Sequence, residues 1–525
     1  MPSPSTASLL TAALAMTLGA CASTGPRQIT ILHTNDMHGR HVPFAVAPGD
    51  ATAQTGDPGR SPSSFDRSGR IGGFAYLAGA IAEVRQRQGR ENVLLVDGGD
   101  TFGDDLLGNI TEGEAMIRLM NAVDYDIMAL GNHDFDYGAD RTAELQKIAR
   151  FPMRGANVLG SDGAPFLGDP ARVFEVGGVR VAILTLGYHN TNETGSPDNV
   201  RGLTFTNGIE ATRAALPALR ARADIIVVLS HQGSKVDREM AKSVSGIDLI
   251  VGAHSHDRIA PPERIGRTWL AQAMSDDAVL GELSLTVEKG TLTRVDGRLI
   301  DLWNDRIAPD TKIAALVADL REPHRARLEE VLATATARIG RQYKSESPFD
   351  ALAGKVLRER TGAEIAFLPG VGYGVSIEPG PVTREQLYTL LPHPTKMVTM
   401  SLTGRQVLAI LEQSAINQKT ADPLDGIGGL VQTSGLGWTI DLNRSQGKRI
   451  SGVSVGGRPL DPDRSYKVVT HAGMRSGLHR YSEFTRGRDI VEHDEKVTDV
   501  VEAGFKRKSS IGLPEVGLVS LIAEE

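Results

Sequence analysis

Ile127-Met128-Ala129-Leu130-Gly131-Asn132-His133-Asp134 joins a short, wholly apolar run to a Gly-Asn turn and two ionisable side chains. An uninterrupted apolar run of this length reads as a strand buried on both faces. The Gly-Asn pair ends it. Four other runs end in the same manner. Ile29–Leu32 leads into His33-Thr34-Asn35-Asp36-Met37-His38, and Val93–Val96 into Asp97-Gly98-Gly99-Asp100. Ile225–Leu229 leads into Ser230-His231-Gln232-Gly233, and Leu249–Gly252 into Ala253-His254-Ser255-His256. Helix-like stretches such as Gly113–Val123 and Ala211–Arg222 lie between such runs. Strand–helix alternation with near-continuous apolar strands predicts a layered α/β fold from Gln28 to about Leu302.

In layered α/β folds, sites gather at the carboxyl ends of the strands. Five strand ends carrying Asp, Asn or His are therefore expected to converge. Asp and Asn offer oxygen and His offers nitrogen, a set that suits a borderline divalent metal such as Mn, Zn, Fe or Co. Asp36, His38, Asp100, Asn132, His231, His254 and His256 are too many for one tetrahedral site. They suit two metal ions that share a bridging carboxylate. Singly, the motifs are ordinary: Asp-x-His arises by chance, and Ser-His-x-Gly is usually a polar loop end. The ordered set of five carries the inference. His33, His41, His189, His324, His393, His471, His479 and His493 read by default as structural histidines.

The 525 residues suggest about two to four domains. A net charge of −7 argues against a nucleic-acid partner, which usually demands a basic stripe. The single cysteine, Cys21, excludes an internal disulfide and a cysteine zinc site. Residues 8–20 form a short apolar segment of secretory type, so residues 1–21 read as a leader. Leu18-Gly19-Ala20-Cys21 resembles a bacterial lipobox, although residues 1–10 hold no Lys or Arg. Cleavage of the small-x-small type at Ala20-Cys21-Ala22 is the alternative. Either reading places the chain in the periplasm or cell envelope, with membrane contact only through a lipid on Cys21. Beyond the leader no apolar run reaches the ~18 residues of a membrane span. Residues 41–70, rich in Pro, Gly, Ser and Asp, read as a long surface loop.

The expected domains are 28–309, then a linker helix over 310–340, then a smaller α/β domain over 341–525. Ile313, Leu316, Leu320, Leu328, Val331 and Leu332 recur at helical spacing in the linker, and Pro323 is expected to kink or split it.

Asp36-x-His38, Gly99-Asp100, Gly131-Asn132-His133-Asp134, His231 and Gly252-x-His254-x-His256 resemble the calcineurin-like dinuclear metallophosphoesterases. More narrowly, Thr34-Asn35-Asp36-Met37-His38-Gly39 and Gly131–Asp136 resemble the bacterial 5′-nucleotidase (UDP-sugar hydrolase) family. Ser401-Leu402-Thr403-Gly404, Ser434-Gly435-Leu436 and Ser465–Val469 extend the resemblance through the second half. It implies a β-sandwich flanked by helices, then a substrate-binding domain. It implies one metal on Asp36, His38, Asp100 and His256, and another on Asp100, Asn132, His231 and His254, with Asp100 bridging. His133 would serve the leaving group and Asp136 would orient it. The implied reaction is hydrolysis of nucleotide or other phosphomonoesters, through attack on phosphorus by a metal-bound hydroxide.

The departures fall in the substrate half. The family's Asn-Gly-Gly-Gly-Ile-Arg loop aligns with Pro369-Gly370-Val371-Gly372-Tyr373-Gly374, so its phosphate-gripping Arg is absent. Of the two aromatics that sandwich the base, one aligns with His393 and the other with Tyr481. His393, Tyr481 and Tyr373 are the candidate substrate contacts, for a small phosphoester that is expected to be a poor fit if it is a nucleotide. Two alternatives remain: a hydrolase of a non-nucleotide ester, like the related periplasmic thiosulfohydrolases, and a non-catalytic surface lipoprotein that binds a ligand.

Overall fold

The computed structural model describes residues 25–48, 65–371 and 376–522. The leader with Cys21, and Tyr373 with Gly374, lie outside the described residues.

Two six-stranded sheets form the first body. One runs in the order Thr291–Asp301, Val279–Glu288, Arg27–Thr34, Val93–Asp97, Ile127–Ala129, Met153–Arg154. The other runs Arg258–Ile265, Thr268–Ala273, Leu249–Gly252, Ile225–Ser230, Val179–Leu186, Ala171–Val176. The central strands are parallel, with Thr34 opposite Asp97 and Ser230 opposite Gly252. Alternate side chains explain the uninterrupted apolar runs. Ile29, Ile31, Leu94 and Val96 meet Val181, Ile183, Val227 and Val251 between the sheets. Their neighbours Leu32, Leu95 and Met128 face the helices Phe74–Gln88 and Glu114–Ala122. Ala182, Val228 and Ile250 face Gly208–Arg220 and Ser234–Ser243. The first body is thus a β-sandwich with a helical layer on each outer face, and its register brings the carboxyl ends of the parallel strands to one edge.

The linker corrects the expected helix over 310–340. A helix spans Thr311–Arg321, capped by the Asp310 carboxylate, which accepts from the Lys312 and Ile313 amides. Pro323 lies in the tight turn Glu322–His324, followed by one helical turn, Arg325–Leu328. Val331–Ala335 is a strand, paired with Gly380–Thr383 and Ser510–Ile511. Proline has no amide to donate, and Val331 and Thr334 favour an extended chain once partners are present. Leu332, Ala333 and Ala335 already belong to the core of the second body.

The second body is built on a five-stranded sheet ordered Gln432–Ser434, Ile365–Leu368, Ser465–His471, Lys396–Thr403, Arg488–Lys496. Helices Pro348–Thr361 and Val497–Lys508 cover one face, and Gly404–Gln418 covers the other. At the ends of the 41–70 segment, Phe44–Val46 pairs with Gly69–Ile71, and His41 is buried; residues 49–64 lie outside the described residues. No helix among the described residues is long and apolar enough to cross a membrane.

Candidate active site

The sandwich edge collects all seven residues singled out as metal ligands. Donor atoms of Asp36, His38 and His256 lie within 4.8 Å of one another, and so do those of Asp100, His231 and His254. Across the first group, His38 Nε2 is 3.1 Å from His256 Nε2, and Asp36 Oδ1 is 3.3 Å from His256 Nε2. Asn132 lines the same cavity, with its Oδ1 buried and without a hydrogen-bond partner.

The backbone is bent to place these groups. Asp36, His38, Asp100, His254 and His256 all have positive φ, between 50° and 71°. That region is costly for residues with a Cβ, and such strain gathers at functional sites. Gly131 is required for a different reason, because a Cβ there would run into the Asp100 carboxylate. Asp134, buried behind the loop, accepts from the amides of Asp100 (3.0 Å), Thr101 (2.9 Å) and Gly131 (2.7 Å). It ties two strand ends together, a role its place in the motif does not disclose.

Outer hydrogen bonds fix the imidazoles. His38 Nδ1 donates to Asp104 Oδ2 at 2.7 Å, and His231 Nδ1 donates to the Gly98 carbonyl at 2.7 Å. Each leaves Nε2 turned into the site, the arrangement seen for metal-bound histidines. His231 Nε2 lies 3.1 Å from Asp100 Oδ2. Burial would lower the His231 pKa, but Asp100 and Asp36 raise it to about 9, so without a cation the ring pairs with the carboxylate as an imidazolium. His254 stacks on Tyr188, with ring centroids 3.8 Å apart. Burial and the neighbouring His231 hold its pKa well below the ordinary value, so it is a neutral donor. Burial alone would raise the Asp100 pKa, but His231 and His133 outweigh it and keep the carboxylate ionised. An orphaned buried Asn132 oxygen, a neutral His254, three further imidazoles and ionised carboxylates gathered in two clusters fit a pair of divalent cations, which would displace the His231 proton.

His133 sits beside the clusters, its Nδ1 2.9 Å from Asp136 Oδ2. A cavity of about 590 Å³ opens over them. The first body lines its floor, and the second body supplies Tyr343, Pro369, Gly370, His393, His471 and His479. Arg341 reaches the wall but is buried, with Nε 3.1 Å and Nη2 3.0 Å from the two oxygens of Asp350.

One expected substrate contact is corrected. Tyr481 does not line the cavity; it is 1% exposed and packs in the second body's core with Phe484. His479 and Arg480 take left-handed backbone angles, φ 52° and 64°, and the turned chain sends His479 to the cavity instead. Arg480 pairs with Glu193 at 2.6 Å, bridging the two bodies. His393 lines the cavity and also engages the floor. It stacks on His133, with ring centroids 5.2 Å apart, and its Nε2 lies 2.9 Å from Asp104 Oδ1. Burial would lower the His393 pKa, but Asp104 and Asp136 raise it to about 9. Asp104, Tyr188, Tyr343 and His479 are site residues that sequence reasoning passed over.

Residues 29–258 match the calcineurin-like phosphoesterase family, and residues 326–486 match the 5′-nucleotidase C-terminal domain. The chain belongs to the 5′-nucleotidase family of metallophosphoesterases. It is 25% identical over 496 residues to the UshA protein of Yersinia enterocolitica, covering 84% of each chain. The 5′-nucleotidase precursor of Thermus thermophilus superimposes with a TM-score of 0.83 at 27% identity, over 95% of this chain and all of that one (100%). The fold is shared with the sulfate thiohydrolase SoxB of the same organism, with a TM-score of 0.86 at 24% identity, over 95% of this chain and 97% of that one. As a 5′-nucleotidase family member, the chain is a phosphoesterase hydrolase, and its clustered His and Asp side chains are those expected where that family binds metals.

Proposed function

We propose that this chain is a two-metal phosphomonoesterase that acts poorly on nucleoside monophosphates. The observation that carries the reading is the single cavity in which both ligand clusters and the His133–Asp136 pair face a wall supplied by the second body. Asp36, His38, Asp100 and His256 would hold one cation, and Asp100, Asn132, His231 and His254 the other, with Asp100 bridging. When bound, the pair supplies an acidified water and neutralises charge on the phosphoryl oxygens. Asp136 fixes the His133 ring through Nδ1, which leaves Nε2 to steady the leaving oxygen or give it a proton. Burial of Asp104 and the strand-end loops keeps bulk water off the ligand side of the floor.

The nucleotide pocket is where this chain parts from the resemblance. Tyr481 is withdrawn into the core, His393 is engaged by the floor, and Arg341 is tied to Asp350. A base stacked on an aromatic is worth about 1–3 kcal/mol, and a charge-assisted phosphate contact about 1.5–3 kcal/mol. Losing both weakens AMP binding by roughly 10²–10⁴-fold relative to a family member that has them. The test is kcat/KM for AMP, UDP-glucose and p-nitrophenyl phosphate, with chelation and metal add-back. Release from p-nitrophenyl phosphate that is lost on chelation supports the reading. A strong preference for AMP refutes the substrate part, and metal-independent turnover refutes the mechanism.

We also infer export, with attachment through Cys21, from the leader pattern. If a Cys21→Ser variant fractionates with membranes like the wild type, lipidation is not the anchor.

A further inference from the structure

We propose that Asp104, His133, Asp136 and His393 form a third divalent-cation site, of the four-ligand kind zinc occupies, shared between the two bodies. It rests on the two-metal reading above for its setting, because it adjoins that centre through Asp104 and His38.

The distances carry the proposal. His133 Nδ1 lies 2.9 Å from Asp136 Oδ2 and 3.4 Å from Asp104 Oδ2. His393 Nε2 lies 2.9 Å from Asp104 Oδ1 and 3.1 Å from Asp136 Oδ2. The two ring nitrogens are 3.3 Å apart. A tetrahedral zinc with bonds of ~2.0–2.1 Å sets its ligand atoms about 3.3 Å apart. The same spacing recurs in the two clusters already described, where His38 Nε2 and His256 Nε2 are 3.1 Å apart and His231 Nε2 and Asp100 Oδ2 are 3.1 Å apart.

Hydrogen bonds account for this cluster less well. An imidazole nitrogen either donates or accepts. If both nitrogens carry protons, two N–H groups face each other across 3.3 Å. If one accepts, its lone pair faces the Asp136 carboxylate. A dication takes a lone pair from each of the four groups and removes the conflict. Once the cation has displaced the imidazole protons, two carboxylates and two neutral imidazoles balance its charge.

The chain goes to some length to assemble the set. Asp104 is buried with a φ of 72°, a backbone angle uncommon for a residue other than glycine. His393 arrives from the second body, and Asn109 Nδ2 of the first holds the preceding Pro392 carbonyl at 2.8 Å. A cation at this point takes the place of the proton on His133 Nδ1 and leaves Nε2–H toward the cavity. It also makes the His133 environment complete only when the second body is docked.

The test is equilibrium dialysis of the full chain against buffered zinc, with bound zinc counted by elemental analysis. Wild type is expected to bind three zinc ions, His393→Phe two, and Asp100→Ala one. The Phe ring keeps the packing on His133 and removes only the ligand nitrogen. His393→Gln repeats the measurement without an aromatic, and circular dichroism verifies that each variant folds. Equal counts in wild type and both His393 variants overturn the third site and leave an ion-paired cluster in its place. An Asp100→Ala variant that binds as much zinc as wild type overturns the two-metal reading instead, so the two failures are distinguishable.

Discussion

Removing the Arg321–Glu385 pair should loosen the second body from the first. Arg321 ends the helix Thr311–Arg321, which packs on the first body's core through Ile313 and Leu320. Glu385 lies in the helix Arg384–Leu390 of the second body. Arg321 Nη2 donates to Glu385 Oε2 at 2.9 Å, Nη1 donates to Oε1, and both side chains are only 16% exposed. Nη1 also donates to His41 Nε2 at 2.8 Å, and His41 Nδ1 lies 3.2 Å from Asp105. A hydrogen bond to a charged group is worth about 1.5–3 kcal/mol net, whereas exposed pairs give 1 kcal/mol or less. Burial puts this one in the upper class. The coupling energy in a cycle of Arg321→Ala, Glu385→Ala and the double variant should therefore be about 1.5–3 kcal/mol. Urea unfolding followed by fluorescence can read it, because Trp303 is buried in the first body and Trp438 in the second. The transitions are fitted separately, since two bodies need not unfold together. Independent sites add within about 0.5 kcal/mol, and a coupling inside that limit would refute the reasoning.

Asp100→Ala should remove activity together with the two-metal pair, since Asp100 alone is assigned to both ions; elemental analysis showing both retained would contradict the assignment. His133→Ala should leave that pair bound and lower turnover about 10²–10⁴-fold. An equal fall for a substrate whose leaving group needs no proton would exclude the acid role. His33 is buried, with neither ring nitrogen hydrogen-bonded, and burial pulls its pKa to about 4. It stays neutral in the folded chain but takes a proton at ordinary pH 6.5 when unfolded. Its contribution is therefore present above about pH 6.5 and is lost as pH falls toward 4, by about 2 kcal/mol at pH 5. His33→Leu should flatten the stability profile between pH 7 and 5 by that amount, and an unchanged slope would count against it.

The fold and the gathering of His and Asp side chains at the sheet edge are legible because both are written in local pattern. A strand buried on two faces reads as an apolar run, and a site at a sheet edge lies next in sequence to such runs. What was not legible depends on contacts remote in sequence. Asp104 follows Thr101-Phe102-Gly103 in a loop with no period, and its meaning appears only with His38, His133 and His393 around it. His393 meets a residue far away in the chain. Tyr481 and His479 exchange expected places because His479 and Arg480 both take left-handed angles and turn the chain ahead of Tyr481, a conformation that residue type alone does not announce. The linker was misread after Pro323 because apolar spacing cannot distinguish a helix from a strand whose partners, Gly380–Thr383 and Ser510–Ile511, lie far downstream.

The strand Arg27–Thr34 is central in its sheet, flanked by Val93–Asp97 on one side and Val279–Glu288 on the other. Synthesis delivers the first neighbour early and the second very late. Until Glu288 has left the ribosome, the opening strand keeps one bare flank, and closing so long a loop is slow. The opening strand of a nascent chain is therefore expected to stay exchangeable through most of the first body's translation. Fragments ending at Asp277 should show fast amide exchange over Arg27–Thr34, and fragments ending at Asp301 should show protection. Protection in the shorter fragment would mean that the strand finds its place without its late neighbour.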